Sequence, residues 1–474
     1  MQKENLIKLV NEIINDKSEA QTIELKSAED GCPTKLFNTL SSFSNQDSGG
    51  IIVFGISEKD NYEIKGVYDV QDLQKKVNEQ CKQMEPVVRA LFTVCEVNGK
   101  KIVSAEIPSV DLSQRPVFYK GVGRVKGSYI RVGESDEPMN EYEIYSYEAF
   151  RKRIRDDLRV VDKGNISLFD KSKIKLYLDY VKKERKNLSD NVSDEEILEL
   201  MGVLSNGTPT LAGTMVFCKY PQAYFPQLCI TAVALPGTEM GELGVDGERF
   251  LDNKRITGSI SDMIEEAVNF VVKNSRVKTK INDLGKREDI YEYPIQAIRE
   301  AIINSLVHRD YSIYTENTPV RIEMYRDRIE ITNSGAIFGK LSVSDLGKAC
   351  PETRNASLAN MLEILKVTEN RFSGIPTMRK ECKKYNLLEP KFIVVHGEFK
   401  VIIKNKYNND GKKIKNEILD FCETPRTREE IIKFTGKSRT YTMTKIIQPL
   451  IDKGLIKYTL PEKPKSSKQK FVST

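Results

Sequence analysis

Apolar positions recur with two different periods along this 474-residue chain, and the switches between them outline its elements. Short apolar runs predict strands at Thr22–Lys26, Ile51–Ile56 and Ser128–Val132, the second preceded by the turn Asp47-Ser-Gly-Gly50. Leu91–Glu96 and Lys101–Ile107 flank Asn98-Gly99, a pair suited to a tight hairpin turn. Helical spacing covers Thr34–Asn45 and Asp72–Met84, and the charged run Phe150–Leu158 reads as a connecting helix. Further on, Ser172–Arg185 and Asp194–Met201 read as helices, Leu211–Phe217 and Leu228–Leu235 as strands, and Ile260–Val272 as an amphipathic helix. The segment Glu300–Tyr311 reads as a helix and is followed by strands at Val320–Tyr325 and Arg328–Ile331. After the turn-rich break Tyr407-Asn-Asn-Asp-Gly411, helices are expected at Lys413–Cys422, Thr427–Phe434 and Ser438–Asp452. The second opens with Thr427 and Glu430 in capping-box spacing, and a hairpin closes the chain. The pattern is α/β (α+β) and multidomain, divided at 1–155, 156–285, 286–405 and 411–474.

Composition narrows the class. Apolar residues make up 39% and charged residues 30%, as in a soluble globular protein, and no apolar run approaches a membrane span. The eight cysteines include no C-x-x-C pair, and there are two histidines, so a zinc site is not expected. The start lacks the apolar core of a secretory signal, which with scattered cysteines implies a cytoplasmic protein. The charge is unevenly placed. Residues 411–474 hold 15 Lys+Arg against 7 Asp+Glu, a balance of +8, while the rest holds 59 against 61, a balance of −2. Positive charge gathered in one small segment points to phosphate backbones.

The richest stretch runs Glu300-Ala-Ile-Ile-Asn304-Ser-Leu-Val-His308-Arg309-Asp310-Tyr311. Glu300 and Asn304 stand one helical turn apart on one face. A carboxylate there can take a proton from water, and a carboxamide oxygen is a hard ligand suited to Mg²⁺. Downstream lie Asn333-Ser-Gly335 at a strand end and Arg371-Phe-Ser-Gly374 before a helix, and a glycine turn opening a helix offers free N–H groups to phosphate. The order of these pieces resembles the GHKL ATPase superfamily, and more closely its divergent branch in bacterial regulators. The resemblance covers residues 286–405. It implies ATP with Mg²⁺: Glu300 would activate water, Asn304 would bind Mg²⁺, and Asn333, Gly335 and Gly374 would line the nucleotide site. Asn333 stands where classical members carry an adenine-binding Asp, and Phe372 where the branch has a glycine. That combination fits binding with weak turnover, so ATPase activity stays open.

The N-terminal pieces Glu19-x4-Glu24-Leu-Lys26, Phe37–Phe43, Ser48-Gly-Gly50-Ile-Ile-Val-Phe-Gly55 and Gly127-Ser-Tyr-Ile-Arg131-Val-Gly133 together resemble the AlbA-like domain shared with Schlafen proteins. No G-x-x-x-x-G-K-[ST] loop occurs anywhere. The C-terminal three helices and hairpin resemble a winged helix-turn-helix, which implies that Lys437, Ser438, Arg439, Thr440, Tyr441 and Lys445 begin the helix that reads DNA. Together these resemblances imply a cytoplasmic, ATP-binding transcription regulator whose DNA binding responds to nucleotide. Regulators that read paired half-sites are often homodimers. The alternative is a Schlafen-like nuclease serving phage defence, with Glu19, Glu24 and Glu58 as a carboxylate set for a divalent metal that activates water.

Overall fold

The computed structural model describes the whole chain except residues 19, 189–191, 282–286, 369–372, 396, 407–416, 437, 465, 467 and 468. It divides into two compact units. The first comprises Met1–Arg159 with Ile337–Ser342 and Pro351–Asn355, and the second comprises Val160–Ala336, Val343–Cys350 and Ala356–Thr474.

The first unit is built on a four-stranded sheet in the order Ile23–Lys26, Gly50–Phe54, Lys100–Ile107, Leu91–Val97. The first two strands are parallel, so the chain between them must cross over, and the helix Phe37–Asn45 lies in that connection. Side chains alternate across the central strand. Ile52 and Phe54 join the core beneath the helices Phe37–Asn45 and Val70–Lys82, while Val53 joins Leu6, Val10 and Ile13 of the helix Lys3–Asp16 on the other face. Gly50 is required where the strand begins, because a Cβ there would lie 2.3 Å from the Phe43 ring. The expected hairpin is present, with Asn98 at φ 53° and Gly99 at φ 75° making its turn.

The second unit contains a six-stranded sheet in the order Asp252–Ile256, Ile230–Ala234, Val320–Met324, Arg328–Ser334, Glu398–Lys404, Lys391–Val395. Only Ile230–Ala234 and Val320–Met324 run parallel. The helices Ile260–Asn274 and Ile295–Val307 pack on this sheet and on each other, burying Met263, Ile264, Ala267, Ile298, Ala301 and Ile302. A separate core near the chain's end is formed by Ile418, Cys422, Ile431, Ile446, Ile447, Leu450, Ile456 and Phe471. It lies among a helical segment over 417–421, the helix Arg428–Thr435, a helical run from Arg439 to Asp452, and a three-stranded sheet of Arg426–Thr427, Lys470–Ser473 and Ile456–Tyr458. The capping box is formed, with Thr427 and Glu430 each accepting the other's backbone N–H. Within the long run, Thr442–Ile447 is π-helical and Pro449 follows at once. Proline lacks the N–H that would bond the Lys445 carbonyl, and its ring crowds that carbonyl, so the helix widens there.

Two elements differ from the sequence reading. Leu211–Phe217 is a helix, not a strand: Thr210 Oγ1 caps it by accepting from Gly213 N at 3.0 Å, and all seven residues are buried. An apolar run buried on every side carries no period to distinguish the two. The expected connecting helix at Phe150–Leu158 instead ends at Arg151. It begins at Glu141 behind the Asn140 capping box, and Arg153 (φ 54°) leaves the helical region before the short 3-10 turn Asp156–Leu158.

Candidate functional site

Helix Ile295–Val307 sets the site. Ala297, Ile298, Ala301, Ile302 and Leu306 face the core, which leaves Glu300 and Asn304 half-buried on the other side. Against them sits the start of helix Gly374–Lys384. A Cβ built on Gly374 would lie 3.0 Å from Glu300 Oε2 and 3.0 Å from Asn304 Nδ2. The carboxylate and the carboxamide therefore converge on the first residue of a helix. Its N-cap, Ser373, makes no side-chain cap hydrogen bond. A carboxylate and a carboxamide meeting a helix start that has no side-chain cap form a donor set of the kind that can hold a Mg²⁺-bound phosphate group.

The residues after the Glu300 helix pin its end to the sheet. Asp310 N donates to Ser334 O at 2.8 Å, its carboxylate accepts from Ser312 N at 2.8 Å, and Tyr311 Oη donates to Leu306 O at 2.7 Å. Arg309 is 1% exposed; its Nη2 donates to the carbonyls of Thr315 and Thr318 at 3.1 and 2.8 Å, and its guanidinium lies over the Tyr311 ring. Burial lowers the pKa of this guanidinium. The His-Arg-Asp-Tyr block thus holds the Asn333 strand end beside the Glu300 helix. Gly335, at φ 99°, meets this clamp closely: a Cβ there would be 3.0 Å from Asp310 N, and its own N donates to Gly397 O at 2.7 Å. Asn333 is buried, with Nδ2 donating to Ser334 O at 3.0 Å. Glu300, Asn304 and Gly374 are in direct apposition, and Asn333 and Gly335 are tied to the same helix through Asp310. Phe372 lies outside the described residues. The clamping role of Arg309 and Asp310 was missed from sequence; their type and adjacency to the Glu300 helix were the available signal.

The N-terminal carboxylates are placed differently. Glu24 Oε2 lies 2.9 Å from Arg131 Nη1, and Glu24 also pairs with Lys26. Arg131, buried over the Phe43 ring, reaches Asp136 at 2.9 Å, and Asp136 accepts from the Thr39 and Ser42 hydroxyls at 2.6 and 2.5 Å. Glu24 is thus one arm of a cation-centred network. Glu58 is exposed in a turn, and Glu19 lies outside the described residues. Among the described residues, no group of three His, Cys, Asp or Glu is arranged to hold a metal.

At the C-terminal helical run the expected set divides. Arg439, Thr440 and Lys445 are exposed, Ser438 Oγ caps the run by accepting from Tyr441 N at 3.3 Å, and Tyr441 packs against the small core. Lys437 lies outside the described residues. Thr444 and Gln448, not singled out from sequence, are exposed beside Lys445. The spacing 440, 444, 448 was the signal for that face.

Residues 19–140 match the family described as "Schlafen, AlbA_2", and residues 317–403 match the family described as "Putative ATP-dependent DNA helicase recG C-terminal". Among solved structures, the chain is similar to the DIP2311 protein from Corynebacterium diphtheriae, at 16% identity and TM-score 0.40, covering 94% of this chain and 92% of that one. It is also similar to the N-terminal domain of a "Putative ATP-dependent DNA Helicase RecG-related Protein" from Nitrosomonas europaea, at 25% identity and TM-score 0.23, covering 28% of this chain and 92% of that one. No curated protein matches. Among the described residues, no helix is long and apolar enough to cross a membrane.

Proposed function

We propose that this chain binds ATP with Mg²⁺ in the second unit and double-stranded DNA through its C-terminal residues, acting as a nucleotide-responsive DNA-binding regulator. The observation that carries the reading is the convergence of Glu300 and Asn304 on Gly374. Gly374 lies within the family match at 317–403, and Glu300 and Asn304 lie just before it. On this reading the fold of residues 286–405 is GHKL-like and that of 411–474 a winged helix. Bound Mg²⁺ would supply positive charge to screen the phosphates. Asn304 Oδ1 would be the oxygen offered to that metal on this reading, with the start of the Gly374 helix beside it. Glu300 would accept a proton from water, so hydrolysis would depend on it while binding would not. Asn333 and Gly335, tied to the end of the Glu300 helix through Asp310, would complete the site on the same reading.

Arg439 and Lys445 would contact DNA from the exposed face of the helical run, with Thr440, Thr444 and Gln448 offering hydrogen bonds to base edges. Titrating the intact protein with Mg–ATP by calorimetry, and with labelled duplex by anisotropy, tests both halves. Heat of binding that is strongly reduced in Asn304→Ala is expected. Absence of heat in the wild type sinks the nucleotide site.

The second reading, a metal-dependent nuclease, draws support from the family match at 19–140. The pairing of Glu24 with Arg131 and Lys26 counts against it, since two cations already satisfy the carboxylate. Shortening of labelled RNA or DNA on adding Mn²⁺, abolished in Glu24→Gln, would restore it.

A further inference from the structure

The segment joining the Asn333 strand end to the helix Ala356–Ile364 does not stay in one unit. Between Ala336 and Ala356 the chain passes from one unit to the other four times, at 336/337, 342/343, 350/351 and 355/356. Each part is anchored where it lies. In the second unit, the stretch 343–350 rests on the helix whose first residue faces Glu300 and Asn304. Arg379 Nη1 of that helix donates to Leu346 O at 3.0 Å. Gly347, at φ 75°, is so close that a Cβ would meet Arg379 Nη1 at 3.0 Å, Ile375 Cγ2 at 3.1 Å and Pro376 Cδ at 3.4 Å. Ile375 and Pro376 are the residues next to Gly374.

In the first unit, the two flanking pieces are fixed by charge and aromatic contacts. Lys340 Nζ lies 2.8 Å from Asp111 Oδ2, and Arg153 Nη1 lies 2.7 Å from Glu352 Oε2. Phe338 meets Phe150 edge-on with centroids 5.4 Å apart, and the Arg354 guanidinium lies over the Phe338 ring, 4.9 Å from its centroid. The pieces also hold each other: a Cβ on Gly339 would be 3.0 Å from Glu352 Cβ. Lys340 holds the Asp111 carboxyl well below the usual carboxylate range, as expected for a formed pair.

We infer that residues 337–355 are a strap through which occupancy of the Glu300–Asn304–Gly374 site is transmitted to the N-terminal unit. The inference rests on the nucleotide reading of that site. A ligand seated at Gly374 would bear on the first turn of its helix, and Ile375 and Pro376 in that turn, with Arg379 in the next, meet the stretch 343–350. Six or fewer residues separate that stretch from Lys340 and Glu352, so it cannot shift without loading the Asp111 and Arg153 contacts. Exposed ion pairs are individually weak, so ligand binding has little energy to overcome at this junction.

Hydrogen exchange on the full chain, with and without Mg²⁺ and a non-hydrolysable ATP analogue, tests this, alongside calorimetry of the same analogue. Altered exchange around Asp111 and Phe150–Arg153 is expected in the wild type. In Lys340→Asp the analogue should still bind while that altered exchange is lost, and Asp111→Lys combined with Lys340→Asp should bring it back. Phe338→Ala provides a second break that leaves the charges alone. Binding with no altered exchange in the N-terminal unit overturns the strap and spares the nucleotide site. So does altered exchange that persists in both Lys340→Asp and Phe338→Ala. No binding of the analogue to the wild type overturns the nucleotide reading and the strap together.

Discussion

Gly374 and Asn304 are closely apposed: a Cβ at 374 would stand 3.0 Å from Asn304 Nδ2, nearer than side chains ordinarily pack. Alanine in a helix ordinarily gains about 0.5–1 kcal/mol over glycine. Here the sign should reverse, because overpacking costs about 1–3 kcal/mol. Gly374→Ala is expected to lower the thermal midpoint and weaken Mg–ATP binding together. A rise in the midpoint with binding unchanged would show that the two helices part easily.

On the proposed reading, Glu300 and Asn304 have separable roles. Glu300→Gln keeps the shape of the side chain and removes the base, so nucleotide should bind within a few-fold of wild type. Any hydrolysis should fall by roughly 10²–10⁴-fold, the usual contribution of a positioned base. Asn304→Ala should instead weaken binding in a Mg²⁺-dependent way. Phosphate release and calorimetry on the two variants check the split.

Glu330 sits at 6% exposure on the strand Arg328–Ser334, accepting from Arg328 Nε and Lys400 Nζ, both at 2.6 Å. Burial alone would raise its pKa, but the hydrogen bonds from Lys400 and then Arg328 outweigh burial and leave it lowered. A carboxyl lowered in the folded state contributes stability above its unfolded pKa, and that contribution is lost as pH falls through the folded value. Stability of the second unit should therefore decline below the ordinary carboxylate range. Glu330→Gln should cost about 1–3 kcal/mol at neutral pH and flatten that decline. Urea melts across pH provide the check.

At the C-terminal helical run, Arg439→Ala and Lys445→Ala should each weaken duplex binding. A residue that contacts phosphate should also reduce the salt slope by about one. Tyr441→Ala should act differently, lowering the stability of the small core it packs against rather than the salt slope. Thr427→Ala removes a formed capping box and should cost about 1 kcal/mol of stability. Anisotropy at several salt concentrations, with thermal melts, separates these effects.

The sequence disclosed elements wherever one face was polar. Ile260–Asn274, Val70–Lys82 and the Asn98-Gly99 hairpin follow directly from alternation and turn chemistry. It failed at Leu211–Phe217, where burial on all sides leaves no period to read. Glu300 and Asn304 were legible because i, i+4 spacing fixes a common face. Their meeting with Gly374, seventy residues on, depends on how two helices pack, which no local pattern encodes. The Arg131 network was hidden for a similar reason: Glu24, Thr39, Ser42 and Asp136 are distant in sequence and meet only when the strand and helix of the first unit assemble. The strap was invisible too, since its anchors Asp111 and Arg153 lie some two hundred residues from Lys340 and Glu352.

The most direct measurement is the affinity of the intact protein for duplex fragments selected from a random pool, compared with and without Mg–ATP. The expected result is recovery of full-length fragments sharing a motif, with an affinity that changes when Mg–ATP is added and ceases to change in Asn304→Ala. Shortened fragments, no enrichment, or an affinity indifferent to nucleotide would contradict the account of a nucleotide-responsive DNA-binding protein.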